Sequence, residues 1–329
     1  MTMTPAEFLA VDAQAPATVE RDRWGRPLIA PPQRGDKVPY TRASTLGKAL
    51  DDEAGLTLWK CRMTAVGIAR RRDLILAANA HGTDKKMMSE IVEQAMAAAE
   101  AGAAATSGTA LHELLDAYDK GGQPYLPDEY RGDVDAYLTA TRGLEFVRSE
   151  TFVVDDELRC AGTYDNLYRL KFHAETPDGG TLTPGTLLIA DKKTGADIKY
   201  GHSSWAVQLS IYAHGLRYDP ATDARLDPED INRDWGLIVH VPVMAGTAQL
   251  YWIDLRKGRE LAHLAHTVRE ARKTKTMRPA AIAATWADMI AGCERLDVLR
   301  ALWGSCVEQR EMTDELKSAF VERSAELAA

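Results

Sequence analysis

The feature that most constrains this chain is an apolar run, Leu187-Leu188-Ile189-Ala190, that ends on Asp191 and lies between Pro184-Gly185 and Thr194-Gly195. A short apolar run bounded by turn residues is the pattern of a buried strand. Side chains alternate faces along a strand, so Asp191 and Lys193 emerge on the same side. A carboxylate next to an ammonium at a strand end can hold a hard divalent cation through the acid, while the lysine orients water or offsets developing negative charge. With 329 residues and a hydrophobic content of 45%, the chain can bury such a strand in an ordinary globular core.

Leu158 to Leu170 reads as a second strand, in which Gly162 permits close approach of backbone or ligand just before Asp165. Asp165 supplies a second carboxylate. One acid binds Mg2+ weakly, whereas two acids with a backbone carbonyl and several waters complete the near-octahedral shell that this ion demands. The segment Ser107 to Tyr118 is helical, with Leu111, Leu114, Leu115 and Tyr118 on its apolar face and His112 beside that face. A lone helix histidine is usually structural, but in the company of Asp165, Asp191 and Lys193 it becomes a third metal-ligand candidate. Glu150, in Arg148 to Val154, has two readings: a residue that supports the metal ligands from behind, or a plain edge-strand glutamate.

Taken in order, His112, Gly162-Thr163-Tyr164-Asp165, Asp191-Lys192-Lys193 and Gln208-x-x-x-Tyr212 resemble the RecB-type branch of the PD-(D/E)XK nuclease superfamily, which includes bacterial recombination nucleases, CRISPR-associated exonucleases and related phage exonucleases. The resemblance covers residues 106–255. It implies that His112, Asp165 and Asp191 bind metal with help from the backbone carbonyl of Lys192, and that Lys193 is the catalytic lysine. Gln208 and Tyr212, four apart and so on one helix face, would position Lys193 or the DNA strand. Each motif is short and common, and the specificity lies in their order. Several CRISPR-associated relatives hold an iron–sulfur cluster on four cysteines. Here Cys61, Cys160, Cys293 and Cys306 form no Cys-x-x-Cys pair, and Cys160 lies in the strand of Asp165, so the expectation is reduced, mostly buried thiols and no iron–sulfur cluster.

The net charge of -8 argues against a uniformly basic nucleic-acid-binding surface. Local basic tracks remain as candidates for phosphate contacts: Arg70, Arg71 and Arg72; Lys85 and Lys86; and Arg272, Lys273 and Lys275. The N-terminal residues lack the basic and apolar regions of a signal peptide, and no apolar run approaches bilayer length, so a cytoplasmic protein with no membrane partner is expected.

Residues 1–40, with Pro27, Pro31, Pro32 and Pro39, read as an extended arm. Residues 41–145 read as a helical N-terminal lobe that carries His112 and includes an alanine-rich stretch from Ile91 to Ala105. Residues 146–329 read as the nuclease core with C-terminal helices. Within it, Asp219 to Asp234 is a polar connection whose spaced aspartates lack the glycine and glutamate of an EF-hand. Trp235 to Val243 and Thr247 to Leu255 alternate as a hairpin turning at Ala245-Gly246, and a helix follows over Lys257 to Lys275. The fold expected is α/β, a restriction-endonuclease-like core with a mixed central sheet flanked by helices, plus N-terminal helical additions.

The resemblance implies a Mg2+- or Mn2+-dependent DNA exonuclease acting at single- or double-stranded ends, in phage or bacterial recombination or replication. Two alternatives stay open. A structure-specific endonuclease would use the same site with a different DNA-binding surface. A DNA-binding or assembly protein would keep the fold without the reaction, against which the intact Asp-x-Lys argues. Toroidal trimers occur among related phage exonucleases, so a homo-oligomer or a recombination partner protein is compatible, although no symmetric interface is visible in the sequence.

Overall fold

Residues 18–33, 35–100, 103–277 and 285–328 are described in the computed structural model. The chain divides into two compact units, one up to Lys273 and one from Thr274. In the first, β1 (Leu28–Ile29) and β2 (Val38–Pro39) form a small ribbon ahead of β3 (Thr41–Arg42) and the short helix α1 (Ala43–Gly47). Five helices follow: α2 (Ala54–Arg70), α3 (Arg72–His81), α4 (Lys85–Ala98), α5 (Ala103–Asp119) and α6 (Arg131–Thr141). Then come β4 (Leu144–Asp155), β5 (Cys160–Leu170), the ribbon of β6 (Ala174–Glu175) with β7 (Thr181–Leu182), and β8 (Leu187–Lys193), leading to α7 (His202–His214). The hairpins β9 (Leu216–Asp219) with β10 (Ala224–Arg225), and β11 (Trp235–His240) with β12 (Gln249–Asp254), precede α8 (Leu255–Ala271).

Among the described residues, eight strands make one mixed sheet in the order β10-β9-β4-β5-β8-β11-β12, with β3 pairing β5 in parallel. Only the β3–β5 and β8–β11 pairings are parallel, the rest antiparallel. The α/β fold with a mixed central sheet flanked by helices is therefore as expected from the sequence. Strand alternation sends one set of side chains to each face. Leu167, Ile189, Ile238 and Ile253 pack with α1, α7 and α8 on one face; Tyr168, Leu188, Ala190, Leu237 and Val239 pack with Leu111 and Leu115 of α5 and with Val134 and Tyr137 of α6 on the other. Each fully buried Leu or Ile in these layers contributes about 1.5–3 kcal/mol. Buried Asp133 of α6 accepts hydrogen bonds from the backbone N–H groups of Met244 and Gly246, both at 2.7 Å, and so pins the turn between β11 and β12.

Two expectations need correction. The alanine-rich stretch from Ile91 to Ala105 is not one helix. It stops at Ala98, Glu100 takes a left-handed φ of 57°, and helix is regained at Ala103. The reason is that α4 packs Ile91 and Ala95 against Leu74 while α5 packs on the sheet, so one straight helix cannot serve both cores. The connection Asp219 to Asp234 is not all loop, because β9 and β10 pair there and Tyr218 is buried against Phe152 at a ring-centroid distance of 6.2 Å. The expected C-terminal helices are present as α9 (Trp286–Ala291), α10 (Leu296–Glu308) and α11 (Asp314–Ala328), which in the second unit enclose a core around Ile290, Leu299, Cys306 and Phe320. Residues 1–17 of the expected arm lie outside the described residues. No helix among the described residues is long and apolar enough to cross a membrane.

Candidate active site

The β5–β8 ladder runs from Arg169↔Leu187 to Asn166↔Ala190 and stops there. Beyond that pair β8 stays with β11, while β5 carries on with β4 and then β3, so a fork opens between the two strands. The next residues outward are Asp165 and Asp191, which therefore face each other at the mouth of the fork. Side-chain alternation in β5 breaks beside the first of them, although the β4–β5 register is the same from Ser149↔Asn166 to Thr151↔Tyr164. Tyr164 and Leu167 both pack in the α7 core, so the period of two is broken between them. Opposite Asp165 on β4, Glu150 is skipped by the ladder and takes a left-handed φ of 49°. Backbone irregularities of this kind concentrate at functional sites.

The two carboxylates are within hydrogen-bonding reach of each other, and Asp165 is pushed up to about 8, first by burial and next by the Asp191 charge, with Lys193 pulling it down. Asp191 is buried; its Oδ2 is touched by the Lys193 ammonium as an ion pair, but no donor is aligned on it as a hydrogen bond. His112 reaches the fork from α5, with Nε2 at 3.7 Å from Asp165 Oδ2 and 3.8 Å from Asp116 Oδ2. Close helix packing makes this reach feasible: a Cβ on Gly108 would lie 2.6 Å from Thr194 Oγ1, so only glycine lets α5 approach the end of β8. The backbone N–H of Lys192 points to Asp165 Oδ2 at 3.4 Å.

From the other face, α7 covers the fork. Lys193 Nζ lies 5.2 Å from the Trp205 ring centroid, and Gln208 hydrogen-bonds the buried hydroxyl of Tyr212. Burial, then the charges of Asp191 and Asp165, push the Tyr212 hydroxyl up, which keeps it a hydrogen-bond donor. The sequence had marked Gly162 as a place of close approach, and the approaching group is Tyr212: a Cβ on Gly162 would lie 2.8 Å from Tyr212 Oη. Trp205, Gln208 and Tyr212 recur at helix spacing, and Trp205 escaped the sequence reading.

The structure thus brings His112, Asp165, Asp191, Lys193, Gln208 and Tyr212 together. Glu150 is exposed, and lines with His112, Glu113, Asp116 and Thr194 a cavity of about 400 Å³ at the mouth of the fork. The basic tracks lie elsewhere. Arg71 is paired with Asp73, Lys273 with Glu270, and Arg70 donates to the carbonyl of Ala98, while none of Arg70, Arg71, Arg72, Lys85, Lys86, Arg272, Lys273 or Lys275 lines that cavity.

Sequence reasoning also missed the Lys192 side chain. It points opposite to Lys193, is fully buried, and places its ammonium against Asp116 and, at 2.7 Å, Asp119 Oδ2. Asp119 is further held by the hydroxyls of Tyr137 and Tyr168 and by Asn166 Nδ2. This network locks α5, and with it His112, to β8. The spacing of four between His112 and Asp116, and of three between Asp116 and Asp119, was the available signal.

No three His, Cys, Asp or Glu side chains among the described residues already surround a point where a metal ion would sit. Mg2+ asks less, since one or two carboxylates plus waters are its usual protein share. A buried acid, Asp191, with an oxygen that lacks an aligned donor, beside a half-buried one, Asp165, whose pKa is raised by desolvation and then by the Asp191 charge, is a fit for such a cation. Neither a protein-family model nor a curated protein sequence matches the chain.

Proposed function

We propose that this protein is a divalent-metal-dependent DNA exonuclease of the PD-(D/E)XK type. The observation that carries the reading is the strand fork, where Asp165 and Asp191 converge with His112 and with the Lys193 ammonium. Asp165 and Asp191 would hold Mg2+ or Mn2+, with His112 and the Lys192 carbonyl completing the protein's share. A cation bound there supplies Lewis-acid polarisation of the phosphate and lowers the pKa of a bound water.

The remaining roles belong to the chain. Lys193 carries a positive charge at the fork, where it can orient an attacking water and offset charge building on the phosphate. Trp205 lies beneath that ammonium and limits where it can go. Tyr212 and Gln208 form a hydrogen-bonded pair over Gly162 and close the fork on the α7 side, which keeps the two acids in place. The Lys192 network anchors α5 from the opposite face. Preorganisation of this kind is what phosphodiester hydrolysis demands, because the protein's task is positioning and charge stabilisation.

The test is cleavage of end-labelled linear and covalently closed DNA with Mg2+, Mn2+ or EDTA. Metal-dependent loss of linear DNA with closed circles untouched supports the exonuclease. Cutting of closed circles moves the assignment to an endonuclease, and no metal-dependent cutting of any DNA moves it to a binding or assembly protein.

A further inference from the structure

The sheet continues past the fork into a second cavity. The register aligns Asp191 with Ile238 and Ile238 with Tyr251, and aligns Lys193 with His240. Cross-strand partners share a face. Tyr251 therefore lies two strands from Asp191 on the same side, about 10 Å away at the usual strand spacing. Above this row of residues a cavity of about 700 Å³ opens between β11, β12, the loop after β8 and the first turns of α7 and α8. Lys199, His202, Trp205, His240, Tyr251 and Lys257 line it.

Aromatic rings make part of its walls, among aliphatic side chains such as Ile198, Ile238 and Ile253. His202 lies 5.6 Å from Trp205, and His240 lies 6.4 Å from Tyr251, centroid to centroid. Trp205 is shared with the fork, since the same ring sits under the Lys193 ammonium. Tyr251 is 42% exposed, an aromatic ring left uncovered on a face whose neighbouring positions are core. Lys199 and Lys257 stand at the rim with exposed side chains, each beside a carboxylate, Asp197 at 3.8 Å and Glu260 at 2.6 Å, and Asp197 and Asp254 also line the cavity. The volume suits a nucleotide-sized group, since binding pockets of 300–1,000 Å³ are typical for small ligands.

Aromatic faces in a concave slot with lysines at its rim match one part of DNA, an unpaired base with its phosphates outside. A base in an intact duplex is stacked and paired, and cannot enter. We infer that the nucleotide next to the scissile phosphate inserts its base into this cavity against Tyr251 and Trp205, so the site takes single-stranded DNA. This rests on the nuclease reading and adds the substrate class to it.

The experiment uses the full chain in EDTA, so that no cleavage intervenes, with a short single-stranded oligodeoxynucleotide carrying terminal 2-aminopurine and a blunt hairpin duplex of the same sequence. Stacking on an aromatic ring quenches the fluorophore. The expected result is quenching on binding of the single strand, lost in Tyr251→Ala together with a roughly 5- to 150-fold weaker Kd, as loss of one stacking contact implies. Tyr251→Phe keeps the ring and should keep both quenching and affinity, which separates stacking from a mere packing defect. Lys257→Gln should weaken binding while leaving the quench of the bound strand intact. Binding without quenching, or a Tyr251→Ala affinity equal to wild type, overturns the inference. Cleavage of the same oligonucleotides with Mg2+ is scored separately: cutting without quenching defeats the cavity assignment alone, whereas quenching without cutting upholds the cavity and defeats the nuclease reading.

Discussion

Gly162→Ala is the sharpest perturbation of the fork that touches no charged group. The added Cβ would lie 2.8 Å from Tyr212 Oη, 3.0 Å from Cε1 and 3.3 Å from Cζ. The ring cannot simply withdraw: Tyr212 is buried, packs against Tyr164 at a centroid distance of 6.4 Å, and hydrogen-bonds Gln208. Forcing extra volume into a packed site costs about 1–3 kcal/mol. For a unit of this size each kcal/mol moves Tm by roughly 2–4 °C, so the loss in Tm should be about 2–12 °C, followed by differential scanning calorimetry. The cause is checked by a double-mutant cycle with Tyr212→Leu. If Tyr212 is what the methyl group strikes, Gly162→Ala should cost markedly less in the Tyr212→Leu background, with a coupling of at least about 0.5 kcal/mol. Additive effects, or an unchanged Tm in the single variant, would refute the packing argument.

Other consequences are as direct. Lys192→Met removes the cation from a buried pair of acids; breaking such pairs costs about 3–5 kcal/mol, and the lower end is expected because Tyr137, Tyr168 and Asn166 still donate to Asp119, as urea unfolding would measure. Because Asp165 is pushed up to about 8 by burial and by Asp191, the folded metal-free protein holds that proton more tightly than the unfolded chain does. Its contribution to stability is thus full below about 4 and lost as pH rises towards 8. Mg2+ competes with the proton, so its thermal stabilisation should be larger at pH 8 than at pH 5, and Asp165→Asn should flatten the difference. Cys61 is exposed while Cys160, Cys293 and Cys306 are buried, so one thiol should react quickly with a chromogenic disulfide in the native protein and four in denaturant.

What the sequence made legible was local. The apolar run before Asp191, the strand of Asp165, the helix of Gln208 and Tyr212, and the hairpin around Gly246 all follow from periodicity and turn residues, and all are found where expected. What it hid was non-local. That Lys192 would be buried between Asp116 and Asp119 depends on α5 lying across the end of β8, and no pattern within either segment states that contact. The break in alternation beside Asp165 is likewise invisible locally, since it occurs where β5 parts from β8 and Glu150, at a left-handed φ, drops out of the ladder. Trp205 was within reach, three residues before Gln208 on the same helix face, but its importance comes from the lysine above it.

The role proposed for Asp165, Asp191 and Lys193 is to act together at the fork in metal-dependent DNA hydrolysis. The most direct measurement is the single-turnover rate of cleavage of linear DNA in Mg2+ by the wild-type protein, Asp191→Asn and Lys193→Met, each verified as folded by circular dichroism. The expected result is a wild-type rate abolished by EDTA and a loss of at least about 100-fold in each variant, the scale on which a group that stabilises charge in the transition state acts. Variants that cut as fast as wild type, or a wild-type rate that is indifferent to EDTA, would contradict it.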